Sequence, residues 1–565
     1  MQVWLATVAR SGDLAPSTLA WIARNADAFL PFAGAVAHRD AWASRNGRTA
    51  VHTWDNGQDV VGSDIAVGAD GSAVTAAGYV HDRGRLCSHP SLSTILHATD
   101  DAPTVVGNLG GMFCLLHVSA TGDVTAWSGR GRTQSVFFAV GPDVIAISSR
   151  PHVAHLVARR SRRSEYDDRF AAELLACSVT APQALPFVGV RQVADGSRLE
   201  STADGDVVEI VEEGRPSTAG AGTVDAAARA LVDAAGVLND LDVDLRASVT
   251  GGKDSRLTVA LLHEAGVSFR TFTSGRPDHP DVVWGRRVAA SVGVEHETVV
   301  GAQQADPSTV VIGDRILASL RGSDAMVPAY DAPNAQVFAP AGGEISLGGS
   351  GGEVLRGGMA RAMEDDRAVL NRKLTWEMSV NATLLTAPAA ERAAEGVAAW
   401  LGRNDDLSAP NTLAWYHRDV RLGRWNMGRT LQRFGQLTVQ PFLDNQAVRT
   451  AMDLPIEERL TERAFHSILQ QVNPALAAMP LATSTWRFAD DHTAPAHTDP
   501  VYNWRLDLSG HIGRALFDHI DASPSQDRIF SLIDHDAFER LRADCEAGKN
   551  DGRQRRALFL WALAG

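Results

Sequence analysis

The stretch "LRASVTGGKDSRLTVALLHEAG", Leu245 to Gly266, decides how the rest of the chain is read. "DLRASVT" has the short apolar run of a buried strand, and "SRLTVALLHEAG" has helical spacing closed by Gly266. Between them lies Thr250-Gly251-Gly252-Lys253-Asp254-Ser255. A loop that leads from a strand into a helix presents the unpaired N–H groups of the helix start, where the helix dipole favours an anion. Two adjacent glycines let a phosphate approach the backbone closely. The loop is not a Walker A loop: the position five residues before Gly252 is Ala247, and Asp254 follows the lysine where Ser or Thr is required. No third glycine follows at dinucleotide-binding spacing.

Outward from this loop the pattern is regular. "TVDAAARALVDAAGVLNDL" reads as a helix before it, "SFRTFTSG" as a strand after it, and "DVVWGRRVAASVGV" as the next helix. Alternation of this kind predicts βαβ units and a parallel sheet. Beyond Asp365 the chain reads as mostly helical, with loop composition over Arg487 to Pro500. The preceding region reads as mostly β. "TVVGNLGGMFCLLHVSA", "DVTAWSG", "QSVFFAVG" and "DVIAISS" are short apolar runs punctuated by Gly, Asp and Ser, as in a sandwich. Composition turns small and polar over Asp204 to Gly222, which places a domain boundary there and predicts domains at 1–210 and 211–565. No internal repeat is present.

With 565 residues the chain exceeds one ordinary core. Hydrophobic content of 45% and charged content of 21% are those of a globular protein. No apolar run reaches the length of a membrane span, and the N-terminus lacks a secretory pattern. Cys87, Cys114, Cys177 and Cys545 are scattered without CxxC spacing, which predicts buried thiols and a cytoplasmic protein rather than a zinc site. Formal charge is −14, from 53 basic and 67 acidic residues, which argues against nucleic acid as a partner. The basic residues Lys549, Arg553, Arg555 and Arg556 read as a solvated helix start.

The loop matches the S-G-G-x-D-S motif of ATP pyrophosphatases, with Thr250 in place of the first serine. "EISLGGSGGEVLRGG", Glu344 to Gly358, resembles the L-S-G-E-G-x-D-E-L-F-G-G segment of asparagine synthetases, and "TVQPFLDNQAVRTAMDLP", Thr438 to Pro455, resembles their R-V-P-F-L-D…P segment. All three occur in family order. "GNLGGMFCLLHVSATGDVTAWSGRGRTQSVFFAV" and "IAISSRPHVAHLV" resemble the family's glutaminase domain. The resemblance implies an α/β protein. Its first part would be a degenerate glutaminase-like, Ntn-type β-rich sandwich, and its second a parallel-sheet, ATP-pyrophosphatase-type synthetase domain with many helices.

A working glutaminase uses an N-terminal cysteine, and position 2 is Gln2. The resemblance therefore implies relatives whose substrate supplies its own amine, namely β-lactam synthetases and lasso-peptide cyclases. β-Lactam synthetases carry a Tyr at the position of Ser350 and a carboxylate just before the P-F-L-D segment, which here reads Leu437-Thr438-Val439-Gln440-Pro441. The family's late Lys falls near "ATSTWRFADD", where the only cation is Arg487. These departures point to a lasso-peptide cyclase, which joins the N-terminal amine of a core peptide to an Asp or Glu side chain. The alternative is a β-lactam synthetase-like or ammonia-dependent asparagine synthetase-like ligase.

On this reading the cofactors are ATP and Mg²⁺. Thr250, Gly251, Gly252, Lys253, Asp254 and Ser255 hold the phosphates, and Asp254 and Glu353 hold the metal. Phe272, Thr273, Ser274 and Gly275 end the strand where relatives hold adenine, and Gly348 and Gly349 approach the nucleotide. Asp254, Glu353, Arg487 and Ser350 are the candidate catalytic residues. His417 and Tyr416 are candidate bases by chemistry alone, and Asp444 reads as the cap of a helix beginning at Asn445. The implied partners are the core peptide, a leader-recognition protein and a leader peptidase.

Overall fold

The computed structural model describes residues 3–549, apart from 31–36, 56–60, 63, 178–179, 181–183, 202–205, 211–219, 300–319, 327–343, 362, 433–436, 483, 489–516, 519 and 548. Most of the Arg487 to Pro500 stretch, three of the four basic residues near the end, and Gln2 lie outside the described residues.

The first part of the chain stacks two antiparallel sheets. One runs in the order Val190–Gln192, Phe137–Val140, Val144–Ser148, Val3–Ala9, Thr49–Asp55 and Ala37–Ala43. The other runs Val207–Ile210, Arg198–Ser201, Val124–Trp127, Gly110–Val118, Ala73–Asp82 and Ala66–Val67, with Arg85–Leu86 beside Ala73–Asp82. Alternation decides what each face touches. Trp4, Ala6 and Val8 of one sheet pack on Ala77, Cys114, Leu116 and Val118 of the other. Val3 and Leu5 face outward under the helix Pro151–Arg159, and Val74 and Ala76 pack under the helix His89–His97. The result is helix–sheet–sheet–helix, the expected β-rich sandwich. One predicted strand differs. Within "TVVGNLGGMFCLLHVSA", Thr104 to Asn108 belong to the helix Ala102–Asn108, and the strand begins at Gly110. Asp101 caps that helix by accepting from the Thr104 N–H at 3.1 Å, and Pro103 occupies its first turn, where proline's missing N–H costs nothing.

The second part holds a four-stranded sheet, His296–Val299, Arg270–Ser274, Asp244–Ser248 and Glu344–Leu347, in which every pairing is parallel. Phe272 lies opposite Ser248 and Leu347 opposite Ala247. From the Asp244–Ser248 strand the chain builds to one side and returns on the other. The loops leaving Asp244–Ser248 and Glu344–Leu347 therefore diverge at the sheet's carboxyl edge, the place where open parallel sheets bind ligands. The helices Val224–Gly236 and Lys253–Glu264 join this sheet in one large core, which also takes in Tyr79 and Met112 of the sandwich.

Buried polar contacts tie the two parts together. Asp444 is fully buried. Its Oδ1 accepts from the N–H groups of Gln446 and Ala447, capping the helix Asn445–Asp453 as expected, while Oδ2 accepts from the Gly111 N–H and bonds His81 Nε2 at 2.8 Å. Arg132 pairs with Asp195 and Asp419, each at 3.0 Å, and Arg418 pairs with Asp195 at 2.7 Å. Among the described residues no helix is long and apolar enough to cross a membrane.

Candidate functional site

The loop after Asp244–Ser248 is braced by its own hydroxyls. The Thr250 N–H donates to Ser255 Oγ at 3.0 Å, the two hydroxyls lie 3.0 Å apart, and the Gly252 N–H donates to Thr250 Oγ1 at 3.1 Å. Gly252 stands at the N-cap of the Lys253–Glu264 helix with no side-chain cap. Such a start leaves donors for an anion. A Cβ on Gly251 would collide with the Ala482 side chain, so only glycine fits between the loop and that neighbour.

The second loop closes on the first. A Cβ on Gly349 would lie 2.6 Å from the Ser255 nitrogen and 2.7 Å from the Asp254 carbonyl carbon, and one on Gly352 would strike the Asp254 carboxylate. These glycines bring the short 3₁₀ helix Gly352–Arg356 against Asp254. In a 3₁₀ helix residues three apart eclipse, so Glu353 and Arg356 present to the same region. Arg356 grips Asp254 with a fork, Nε to Oδ1 at 3.0 Å and Nη2 to Oδ2 at 2.6 Å. Burial nevertheless pushes the Asp254 carboxyl up to about 6, against the pull of Arg356 and helped by the charge of Glu353. Glu353 Oε2 is buried with no hydrogen-bond partner.

Two carboxylates that repel each other, one with an orphaned oxygen, fit a divalent cation. Mg²⁺ takes one or two carboxylates and leaves its other positions to phosphates and water. Among the described residues no group of three His, Cys, Asp or Glu side chains could hold a metal by itself.

A third carboxylate organises the cations. Glu462 is fully buried and adopts a left-handed backbone with φ 65°, uncommon for a residue with a Cβ. Its Oε2 accepts from Lys253 Nζ at 2.5 Å and from the Arg487 N–H at 3.1 Å, and its Oε1 lies 3.5 Å from both Arg356 Nη1 and Arg487 Nε. Lys253 is buried rather than solvated. It also donates to the Thr485 carbonyl at 2.8 Å and sits 5.1 Å from the ring centre of Trp486. Burial lowers the Lys253 ammonium from its ordinary value, against the stabilising bond from Glu462. Arg487 donates to the Arg356 carbonyl at 3.0 Å and the Leu460 carbonyl at 3.2 Å.

The remaining sequence candidates divide. The Thr273 hydroxyl is buried and donates to the Val249 carbonyl, so it joins neighbouring strand ends, whereas Ser274 is exposed at the sheet's carboxyl edge beside Gly275. Phe272 lies under the Arg246 guanidinium at 4.5 Å. Gly348 and Ser350 line a cavity of about 230 Å³ between the sheet edge and the sandwich. Tyr416 packs edge-on to Trp400, and burial carries its hydroxyl well above the usual range. His417 opens a π-helical turn, His417–Leu422. Both its ring nitrogens are buried without partners, and burial lowers it to about 4. The structure thus brings Lys253, Asp254, Glu353 and Arg487 together and adds two residues that sequence reasoning missed, Arg356 and Glu462. The i, i+3 spacing of Glu353 and Arg356 was a readable signal for the first. Nothing local marks the second.

The family model for asparagine synthase matches residues 226–564, more than half of the chain. Among solved structures, a glutamine phosphoribosylpyrophosphate (PRPP) amidotransferase from B. subtilis, complexed with ADP and GMP, is similar over 54% of this chain and 93% of its own, at 8% identity and a TM-score of 0.25. A structure described as the allosteric regulatory enzyme of purine biosynthesis is similar over 53% of this chain and 80% of its own, at 10% identity and a TM-score of 0.26. A comparison with curated proteins found no match.

Proposed function

The chain belongs to the asparagine synthase family, and from that premise we propose that it is a lasso-peptide cyclase, which adenylates an Asp or Glu side chain of a leaderless core peptide and joins it to the peptide's N-terminal amine. Membership alone makes it an ATP-dependent amide-forming ligase. The observation that carries the chemistry is the cluster at the sheet's carboxyl edge: three cations, Lys253, Arg356 and Arg487, interleaved with three carboxylates, Asp254, Glu353 and Glu462.

In the first step the substrate carboxylate attacks the α-phosphorus of ATP, and pyrophosphate leaves. The open helix start at Gly252 to Asp254 and the neighbouring cations stabilise charge on the departing group. Asp254 and Glu353 would hold Mg²⁺, which supplies further charge neutralisation on the phosphates. Glu462 fixes Lys253 and Arg487 in place, so little reorganisation is needed when charge develops. In the second step the amine attacks the acyl carbon and AMP leaves. Both reacting ends belong to one chain, so positioning supplies much of the rate.

The described cysteines support self-supplied amine over glutamine hydrolysis. The Cys87 and Cys114 thiols are raised by burial, Cys114 to about 12, and Cys177 is buried, so none of these is poised as a thiolate. The alternative, a β-lactam synthetase-like or ammonia-dependent ligase of small molecules, draws support from the modest size of the cavity beside Ser350. The peptide reading brings a leader-recognition protein and a leader peptidase as partners. The test is product analysis with ATP, Mg²⁺ and a leaderless candidate core peptide. AMP, pyrophosphate and a peptide lighter by one water are expected. Turnover with free amino acids alone would select the alternative, and ADP as product would refute adenylation.

A further inference from the structure

Arg356 stands between two carboxylates and treats them unequally. Its fork spends both oxygens of Asp254, Nε on Oδ1 at 3.0 Å and Nη2 on Oδ2 at 2.6 Å. The carboxylate is hemmed in elsewhere too, because a Cβ on Gly352 would strike Oδ1. The two side chains are only 16% and 21% exposed, so this is no screened surface pair. The last guanidinium nitrogen, Nη1, lies 3.5 Å from Glu462 Oε1. That oxygen is loosely held: its other cationic neighbour, Arg487 Nε, is also at 3.5 Å, long for a charge-assisted bond. Lys253 and the Arg487 N–H take Oε2 instead. One guanidinium thus has a full grip on a carboxylate assigned to the metal. It has a loose grip on a second carboxylate with room for it.

We propose that Arg356 is a positioning residue that gates the metal site: it keeps a divalent cation off Asp254 until the triphosphate arrives, then turns onto Glu462, so that cation and nucleotide enter together. This deepens the adenylation reading above and rests on it. A guanidinium and a divalent cation repel each other and compete for the same two oxygens. Without nucleotide, the cation would have to displace the fork in exchange for two carboxylates. The triphosphate shifts the balance in two ways. It brings further oxygens for the cation, and it places negative charge at the open helix start beside the gate. The displaced guanidinium does not become a stranded charge, because Nη1 has only to close the 3.5 Å gap to Glu462. A lysine at this position would be a poor gate, since a compact ammonium lacks the planar fork that covers both oxygens. The consequence is reciprocal coupling, in which each ligand raises the affinity of the other.

The test titrates Mn²⁺, which suits the same oxygen ligands and is visible by electron paramagnetic resonance, into the full chain without nucleotide. The wild type is compared with Arg356→Met, with Arg356→Lys, and with each of these combined with Asp254→Asn. Arg356→Lys keeps the charge and loses the fork, so it separates gating from simple repulsion. Mn²⁺ binding is expected to tighten about tenfold in Arg356→Met, the scale of one charged hydrogen bond removed. It tightens by a smaller factor in Arg356→Lys, and adding Asp254→Asn returns both to the wild-type level. Melting curves show which variants fold, and if Arg356→Met does not, the lysine pair carries the test. Wild-type affinity in Arg356→Lys overturns the proposal, and so does a tightening that survives Asp254→Asn. Calorimetry with Mn²⁺ and α,β-methylene-ATP, which cannot be cleaved between its α and β phosphates, reports separately on the nucleotide. The analogue is expected to raise Mn²⁺ affinity by a larger factor in the wild type than in Arg356→Met. No binding of the analogue by any form would sink the nucleotide reading and coupled entry with it. Binding of the analogue with the same gain in every form would sink the gate alone.

Discussion

Glu462→Gln is the sharpest perturbation of the cluster. The carboxylate is fully buried, bonds Lys253 Nζ at 2.5 Å, and lies 3.5 Å from both Arg356 and Arg487. The three partners are not equal. Arg356 keeps its fork on Asp254, and Arg487 has a side chain 28% exposed and two carbonyl acceptors, so both retain partners when the charge is lost. Lys253 keeps only the Thr485 carbonyl and the Trp486 ring. Breaking a buried ion pair from one side costs about 3–5 kcal/mol. The ammonium can escape by shedding its proton, which from an ordinary value near 10.5 costs about 5 kcal/mol at pH 7, at about 1.4 kcal/mol per unit. The two estimates meet, so the expected loss is about 4 kcal/mol, read as a shift in the urea midpoint. Glu457→Gln, an exposed residue of the helix Ile456–Leu460, is the control and changes nothing. Adding Lys253→Met to Glu462→Gln recovers most of the loss, because replacing both partners by neutral groups removes the stranded charge. Pyrophosphate–ATP exchange falls on the order of 10²-fold in Glu462→Gln, the scale of losing one preorganised electrostatic contact. If Glu462→Gln unfolds within about 1 kcal/mol of the wild type and exchanges pyrophosphate at the wild-type rate, Glu462 is not the organiser of the cluster.

Other outcomes follow from single contacts. Gly349→Ala puts a methyl 2.6 Å from the Ser255 nitrogen, so ATP binding measured by calorimetry is lost while far-ultraviolet circular dichroism is kept. Tight ATP binding by that variant would mean the two loops need not touch. Glu353→Gln removes a buried carboxylate with an orphaned oxygen beside Asp254; stability holds or rises, while Mg²⁺-dependent exchange falls to the level seen with EDTA, and retained exchange would remove Glu353 from the metal site. His155 is held neutral, its Nδ1 at 3.0 Å from the Val188 carbonyl and its Nε2 accepting the Glu165 N–H, with burial lowering it from 6.5 to about 4. The unfolded chain takes up this proton near 6.5 and the folded chain only near 4, so stability is full above 6.5 and is lost as pH falls towards 4, by up to about 3 kcal/mol. Urea midpoints at pH 7.5 and 5 should diverge more for the wild type than for His155→Gln, and parallel shifts would refute this.

How much of this was legible turned on whether a residue's task was local. The strand–loop–helix around Thr250 to Ser255, the alternation around it and the Asp444 cap could be read because each depends on neighbours within a few positions. The strand assigned to Thr104–Asn108 was misread because valines carry β propensity, while a capping Asp101 and a first-turn Pro103 outweighed it. The sequence placed Lys253 in the loop but said nothing of where its side chain goes. It is buried because Glu462 and Trp486, more than 200 residues on, converge over it. Glu462 itself carried no local mark, since its left-handed backbone and its three cationic partners exist only in the folded chain. The charge count gives these long-range partners their meaning. Three cations against three carboxylates leave the cluster balanced, with Arg356 spent on Asp254. A divalent cation taken up by Asp254 and Glu353 would tip that balance to positive, just where pyrophosphate leaves in the adenylation we propose. Holding three cations ready without collapsing onto an anion requires the buried carboxylate that the sequence conceals.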